Sequence, residues 1–174
     1  MTVRKIITFP DPILRKQTRK IIHFSPELQY LISDMIETMR KTHGVGLAAP
    51  QIGVDKQLIV VEYSSDIGLT NEITKAPDLY VMINPEISNR SSKQVMGIEA
   101  CLSIPGLCGE VSRHESIRVK GLDRQGYPIE QRADGWLARI FQHEIDHIHG
   151  VLYTDCATQV WRVRDKNEAL SQAI

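Results

Sequence analysis

The sequence predicts an α+β fold: antiparallel β-sheets packed around a central helix, with one helix preceding it and a C-terminal helix following it. Three observations carry this expectation. Residues 26–42 hold an apolar stripe with helical period. Residues 57–132 hold short β-branched or alternating runs separated by turn residues. Residues 134–150 hold a second helix in which apolar side chains interleave with histidines and acids. Strands grouped between two helices argue for hairpins rather than alternating βαβ units.

In chain order, Phe9-Pro10-Asp11-Pro12 is a turn, because two prolines fix φ and remove donors. Ile13 and Leu14 can then anchor this arm to a core. Ser25 suits an N-cap and Pro26 the first helical position. Leu28, Leu31, Ile32, Met35, Ile36 and Met39 follow the i, i+3, i+4 rule, and Gly44 suits the end of that helix. The stripe reads as core. A strand is expected over 57–63, an exposed loop over 64–78, and a strand over 80–84 stopped by Pro85. Residues 88–93 read as a turn or hairpin tip. An extended segment over 98–103 carries Cys101, and Pro105-Gly106 turns it. Strands over 116–122 and 127–132 flank the turn Asp123-Arg124-Gln125-Gly126. Asp134 can cap the central helix, Gly150 closes it, and an amphipathic helix is expected over 159–171.

At 174 residues the chain reads as a single domain, 1–174, with 159–174 as a helical tail. Lys+Arg and Asp+Glu both number 21, so no basic excess points to DNA or to an anionic membrane. No apolar run approaches the roughly 20 residues of a membrane span. The N-terminal residues lack a signal-peptide pattern. Three cysteines, Cys101, Cys108 and Cys156, do not read as a disulfide framework. A reducing, cytoplasmic setting is the expectation, and one cysteine is then available as a ligand or nucleophile.

The chemistry is concentrated in Gln142-His143-Glu144-Ile145-Asp146-His147. His143 and His147 lie one turn apart on one helix face, where two imidazoles can hold one metal ion. Glu144 stands beside the first histidine, in reach of an attacking water, as a general base must be. Leu137, Ile140, Phe141, Ile145 and Ile148 interleave with these residues, which argues for a buried helix rather than a charged surface one. Two histidines do not complete a site, since catalytic zinc-type sites take three protein ligands. Downstream candidates are His149, Asp155 and Cys156, and Cys101 is the upstream one. A second unusual stretch is Gly44-Val45-Gly46-Leu47-Ala48-Ala49-Pro50-Gln51. Its small residues let backbone run close to a ligand or to another strand. Gln51 is its only polar side chain.

Three stretches together resemble the peptide deformylases. The first is Gly44-Val45-Gly46-Leu47-Ala48-Ala49-Pro50-Gln51, which matches that family's Gly-x-Gly-Leu-Ala-Ala-x-Gln at every fixed position. Glu99-Ala100-Cys101-Leu102-Ser103 is similar to its Glu-Gly-Cys-Leu-Ser, with Ala100 in place of glycine. Gln142-His143-Glu144-Ile145-Asp146-His147 matches its Gln-His-Glu-x-Asp-His. Weaker similarity extends over the chain to about residue 156.

The resemblance implies one divalent ion held by Cys101, His143 and His147, usually ferrous iron in the family, with zinc or another ion able to replace it. It implies hydrolysis of the N-formyl group from the initiator methionine of new polypeptides. Glu144 would move the proton, and the Leu102 backbone N–H and the Gln51 amide would face the oxyanion. Gly46 and Ala100 would border the peptide, and Val45 and Ile140 are candidates for the methionine pocket. Glu99, Arg113 and Asp146 either orient the histidines or simply fix strand to helix, and both readings stay open. Cys108 and Cys156 read as small packing residues, and His23, His43, His114 and His149 as surface or packing histidines. A monomer is expected, with transient ribosome contact through Arg162, Arg164 and Lys166 as a family-based possibility. Two other readings use the same helix: a different metallopeptidase, or a non-catalytic homologue that binds metal and peptide.

Overall fold

A computed structural model describes residues 2–64 and 76–163. In order, its elements are α1 (Pro26–Lys41), β1 (Gly46–Ala48), β2 (Leu58–Tyr63), β3 (Asp78–Arg90), β4 (Gln94–Cys101), β5 (Ile104–His114), β6 (Ser116–Leu122), β7 (Pro128–Asp134), α2 (Gly135–Ile148), the single-turn α3 (Tyr153–Cys156) and β8 (Ala157–Arg162). The larger sheet has the order β1-β2-β3-β6-β7 and the smaller β4-β5-β8. Every pairing among them is antiparallel, as the grouping of strands between helices predicts.

The continuous apolar run of β2 reflects burial on both faces. Side chains alternate across a strand. Leu58 and Val60 pack with Leu28, Ile32, Met35 and Met39 of α1. Ile59 and Val61 pack with Ile140, Phe141, Ile145 and Ile148 of α2. A third cluster joins Leu14 of the N-terminal arm to Cys101, Val111, Leu152 and Tyr153. Helix α2 lies against β1, β2, β6 and β7 of one sheet and β5 of the other. It is the central helix, and both sheets touch it.

Several local expectations are corrected. Pro85 does not stop its strand, because β3 runs on to Arg90. Proline falls where β3 has left β2 and where its register with β6 slips, so no ladder donor is missed. Asn84 takes φ 51° there, and its amide clamps the Ile21 backbone from both sides, at 2.8 Å each. The turn after Cys101 falls on Leu102 and Ser103, because Cys101 pairs with Ile104; Pro105 and Gly106 already belong to β5. At the end of α1 the left-handed residue is His43, φ 57°, and Gly44 donates to the Met39 carbonyl at 3.0 Å.

The expected C-terminal helix is contradicted over 159–162. Those residues lie in β8, which pairs with β5 from Val111↔Ala157 to Leu107↔Arg162. The edge of β5 needs a backbone partner, and that demand outweighs a short amphipathic pattern. Positions 164–171 of that expectation, Arg164 and Lys166 among them, lie outside the described residues, as does most of the expected loop over 64–78.

Candidate metal centre and active site

Helix α2 starts where Gly135, φ 58°, donates to the Glu115 carbonyl at 2.8 Å. Asp134 occupies the N-cap position without a side-chain cap; its carboxylate accepts from Arg132 instead. The C-terminus closes at Gly150, φ 75°, while Val151 N–H reaches the Asp146 carbonyl at 3.0 Å. Gln142 ties the helix to the end of β5. Its oxygen accepts the His114 N–H and its nitrogen donates to the His114 carbonyl, both at 3.0 Å. These contacts set the rotation of α2, and hence where His143 and His147 point.

Cys101, at the end of β4, meets the two histidines across the gap between β4 and α2. One ligand atom from each of Cys101, His143 and His147 lies within 4.8 Å of the others, and all three residues are buried. The Cys101 Sγ is 3.2 Å from His147 Nε2. The His143 and His147 rings stand edge to face, with centroids 4.9 Å apart. His143 Nδ1 is engaged by Glu99 Oε2 at 2.9 Å, which turns Nε2 toward the cysteine. Of the downstream alternatives, Asp155 pairs with Arg15, and His149 and Cys156 are exposed. The exposure of Cys156 corrects its reading as a packing residue, whereas Cys108 is buried.

Burial and neighbouring groups push the titratable side chains of this cluster in different directions. Burial works against charge on His143, yet hydrogen bonds to Cys101 and Glu99 raise its pKa well above the ordinary value. Burial and the neighbouring His143 depress His147, which keeps its ring neutral and its lone pair available. Burial likewise pushes the Glu144 carboxyl up to about 7. Glu144 Oε2 is buried with no hydrogen-bond partner among the described residues. A thiolate, two imidazoles and an unpartnered carboxylate oxygen fit a divalent ion and the water beside it.

Glycine at position 46 has a steric reason. A Cβ there would run into the Glu144 carboxylate. Strand β1 therefore passes directly against the acid. Gln51 follows in a short 3-10 turn, Ala49–Ile52. Its Oε1 accepts the Ala48 N–H at 2.7 Å, which turns Nε2 toward Cys101 Sγ, 3.5 Å away. Leu102 is half-buried in the turn between β4 and β5. Val45 and Ile140 share one apolar cluster with Trp136 and Leu137; Ile140 is fully buried and the other three half-buried. Ala100 is buried and pairs across the sheet with Cys108.

The two readings of the charged residues resolve differently for each. Glu99 does orient a histidine, and it is gripped by Arg113 at 2.9 and 3.0 Å. Asp146 instead holds Arg113, at 2.6 Å. These contacts keep Glu99 ionised in spite of burial, with a pKa well below the carboxylate range. Arg139 and Gly97 were not singled out by the sequence. Both belong to this network, and only the four-residue spacing of Arg139 from His143 hinted at a shared helix face.

Comparison with known proteins agrees with this geometry. The profile of one family, polypeptide deformylase, matches residues 3–162. A peptide deformylase of Symbiobacterium thermophilum is 43% identical over 99% of this chain and 75% of its own length. One from Thermodesulfovibrio yellowstonii is 45% identical over 89% of each chain. The crystal structure of the Thermotoga maritima peptide deformylase superposes with a TM-score of 0.80 at 36% identity, covering 91% of this chain and all of that one. A Legionella pneumophila structure gives 0.79 at 41%, covering 90% and 87%. A shared fold, a profile spanning both ligand-bearing elements and relatives above 40% identity converge on one assignment: the chain belongs to the peptide deformylase family.

Proposed function

We propose that Cys101, His143 and His147 hold one divalent ion, ferrous iron or zinc being suited to this donor set, and that Glu144, Gln51 and Leu102 act beside it in the family's reaction. That reaction hydrolyses the N-formyl group of newly made polypeptides, releasing formate and a free N-terminal amine. When bound, the ion supplies Lewis acidity and lowers the pKa of water at the site. Glu144, as a carboxylate whose pKa lies near neutrality, takes a proton from the attacking water efficiently. The water oxygen bonds to the formyl carbon, whose carbonyl oxygen becomes an oxyanion. Gln51 Nε2 and the Leu102 N–H face that oxygen and stabilise its charge. Glu144 then gives its proton to the amine nitrogen as the C–N bond breaks.

The observation that carries this reading is the three-donor cluster with the buried, unpartnered Glu144 oxygen beside it. The open edges of β1 and β4 flank the cluster, so a peptide can add as a strand beside Gly46 and Ala100. Its methionine side chain would rest on the apolar cluster that contains Val45 and Ile140. We read residues 1–174 as a single catalytic domain, monomeric and cytoplasmic, with ribosome contact by the C-terminal segment. No described helix is long and apolar enough to cross a membrane.

Anaerobic purification, metal analysis and an assay for formate release from formyl-Met-Ala test the assignment. One divalent ion per chain and formate release with every peptide bond intact are expected; cleavage of a peptide bond would mark a different peptidase. Glu144→Gln should lower kcat by about 100-fold or more while the ion stays bound. Loss of the ion in that variant would show that Glu144 is not the proton carrier but part of the binding set.

A further inference from the structure

Glu99 has a second buried arginine partner besides Arg113. Arg139 lies one turn before His143 on α2 and is only 3% exposed. Its Nη1 donates to Glu99 Oε1 at 2.8 Å and to the Val111 carbonyl of β5 at 2.9 Å. Its Nη2 donates to the Val95 carbonyl of β4 at 2.7 Å. One guanidinium therefore spans both strands of a hairpin and the acid that orients His143. The two oxygens of Glu99 are divided among these donors. Oε1 receives Arg113 and Arg139, and Oε2 receives Arg113 and His143. Pulling Oε1 toward Arg139 leaves Oε2 directed at His143 Nδ1.

Room for this arrangement comes from Gly97. A Cβ at that position would stand 2.7 Å from Arg139 Cζ and Nη2. The guanidinium fills the space beside Gly97, and three hydrogen bonds hold it there. A buried cation is tolerated only when its donors are satisfied and its charge is matched. Glu99, Arg113, Arg139 and Asp146 satisfy that condition together: two acids, two guanidinium groups and no net charge.

We propose that Arg139 is a positioning residue, clamping Glu99 in the orientation that aims His143 at the ion, and that Gly97 is the gap in β4 that admits it. This inference rests on the reading of His143 as a ligand. Groups behind a metal-ligating histidine fix its tautomer and ring orientation, and losing one weakens metal binding by about 10- to 100-fold.

The test uses the full-length chain loaded with Co2+, whose visible bands report ligand geometry, and follows loss of Co2+ to a chelator. Arg139→Met is expected to shift the bands and speed loss by about 10-fold or more. Gly97→Ala is expected to do the same, because its methyl displaces the guanidinium. The double variant should be no worse than Arg139→Met alone, since the added methyl then meets no guanidinium. Variants that melt earlier yet keep wild-type bands and wild-type loss would overturn the proposal, leaving Arg139 a structural residue. Full additivity in the double variant would overturn the role of Gly97. Should Arg139→Met fail to fold, a folded Gly97→Ala protein with wild-type bands and loss rate overturns the proposal by itself. A wild-type chain that takes up no Co2+ would overturn the metal-site reading itself, an outcome distinct from all of these.

Discussion

Glu144 and Gly46 form the most confined contact of the site, and each constrains the other. The acid sits where a side chain at position 46 would be. Gly46→Ala must therefore move the carboxylate, and misplacement of a catalytic group by about 1 Å lowers rate by about 100-fold. Steady-state kinetics should show that fall in kcat, with metal content unchanged. Ala100 poses the opposite question, a methyl where the Glu-Gly-Cys-Leu-Ser motif that this stretch resembles has glycine. Every proposed ligand, the proposed acid and both proposed oxyanion donors are present, so chemistry should be intact and peptide seating altered. Ala100→Gly is then expected to change KM more than kcat, and a large rise in kcat at constant KM would contradict this. The histidine pair and Glu144 were legible from spacing alone. Cys101 was legible only through the resemblance, because spacing along the chain left four candidates for the third ligand. The role of Arg139 was not legible beyond its spacing from His143, since its partners come from β4 and β5, some 28 to 44 residues away.

Among the elements, the N-terminal arm connects α1 to the segments around Gln51 and Ser103. Thr2 N–H reaches Asp34 Oδ1 at 2.7 Å, and Arg4 pairs with Oδ2, also at 2.7 Å. Farther along, Ile7 N–H reaches the Gln51 carbonyl and Phe9 N–H the Ser103 carbonyl, each at 2.8 Å. The arm thus braces the two segments that carry the proposed oxyanion donors, Gln51 and Leu102. The Thr2 amide lowers the Asp34 pKa against the effect of burial, and Arg4 assists. A carboxyl depressed in the folded state adds stability above its unfolded pKa of about 3.9 and loses it as pH falls through the folded value. Asp34→Asn should therefore cost about 1 kcal/mol near neutrality, and the gap between variant and wild type should close below about pH 4. Thermal melts from pH 7 to pH 3 would check it; a gap constant with pH would refute it. Five of the eight described strands were visible as β-branched, extended or alternating runs, and β1, β5 and β8 were not. The fate of 159–162 was not, because an edge strand and a short surface helix share that composition, and the open edge of β5 decides between them.

For the whole molecule, the ion is expected to act as a cross-link. Cys101 comes from the small sheet and both histidines come from α2, which packs mainly against the large one. Anything bound to the folded state alone stabilises it, by about 2.7 kcal/mol at 100 times Kd. Chelation should therefore lower the melting temperature of the wild type. Cys101→Ser should start lower and show little further change with chelator, and an equal drop in both proteins would place the ion elsewhere. Burial of β2 on both faces gives the molecule its order: α1 on one side, α2 on the other, and the active-site wall between α2 and the two open strand edges.

By itself the sequence determined the fold class, the two main helices, the histidine pair with its acid, and the small-residue loop. All of these are written in local period and spacing, which physical chemistry reads within a few turns of chain. Tertiary structure alone decided where Pro85 is harmless, what residues 159–162 become, and that Arg139 and Gly97 stand behind His143. Each of those depends on which backbone edge or buried charge arrives from a distant segment, and no local pattern carries that information.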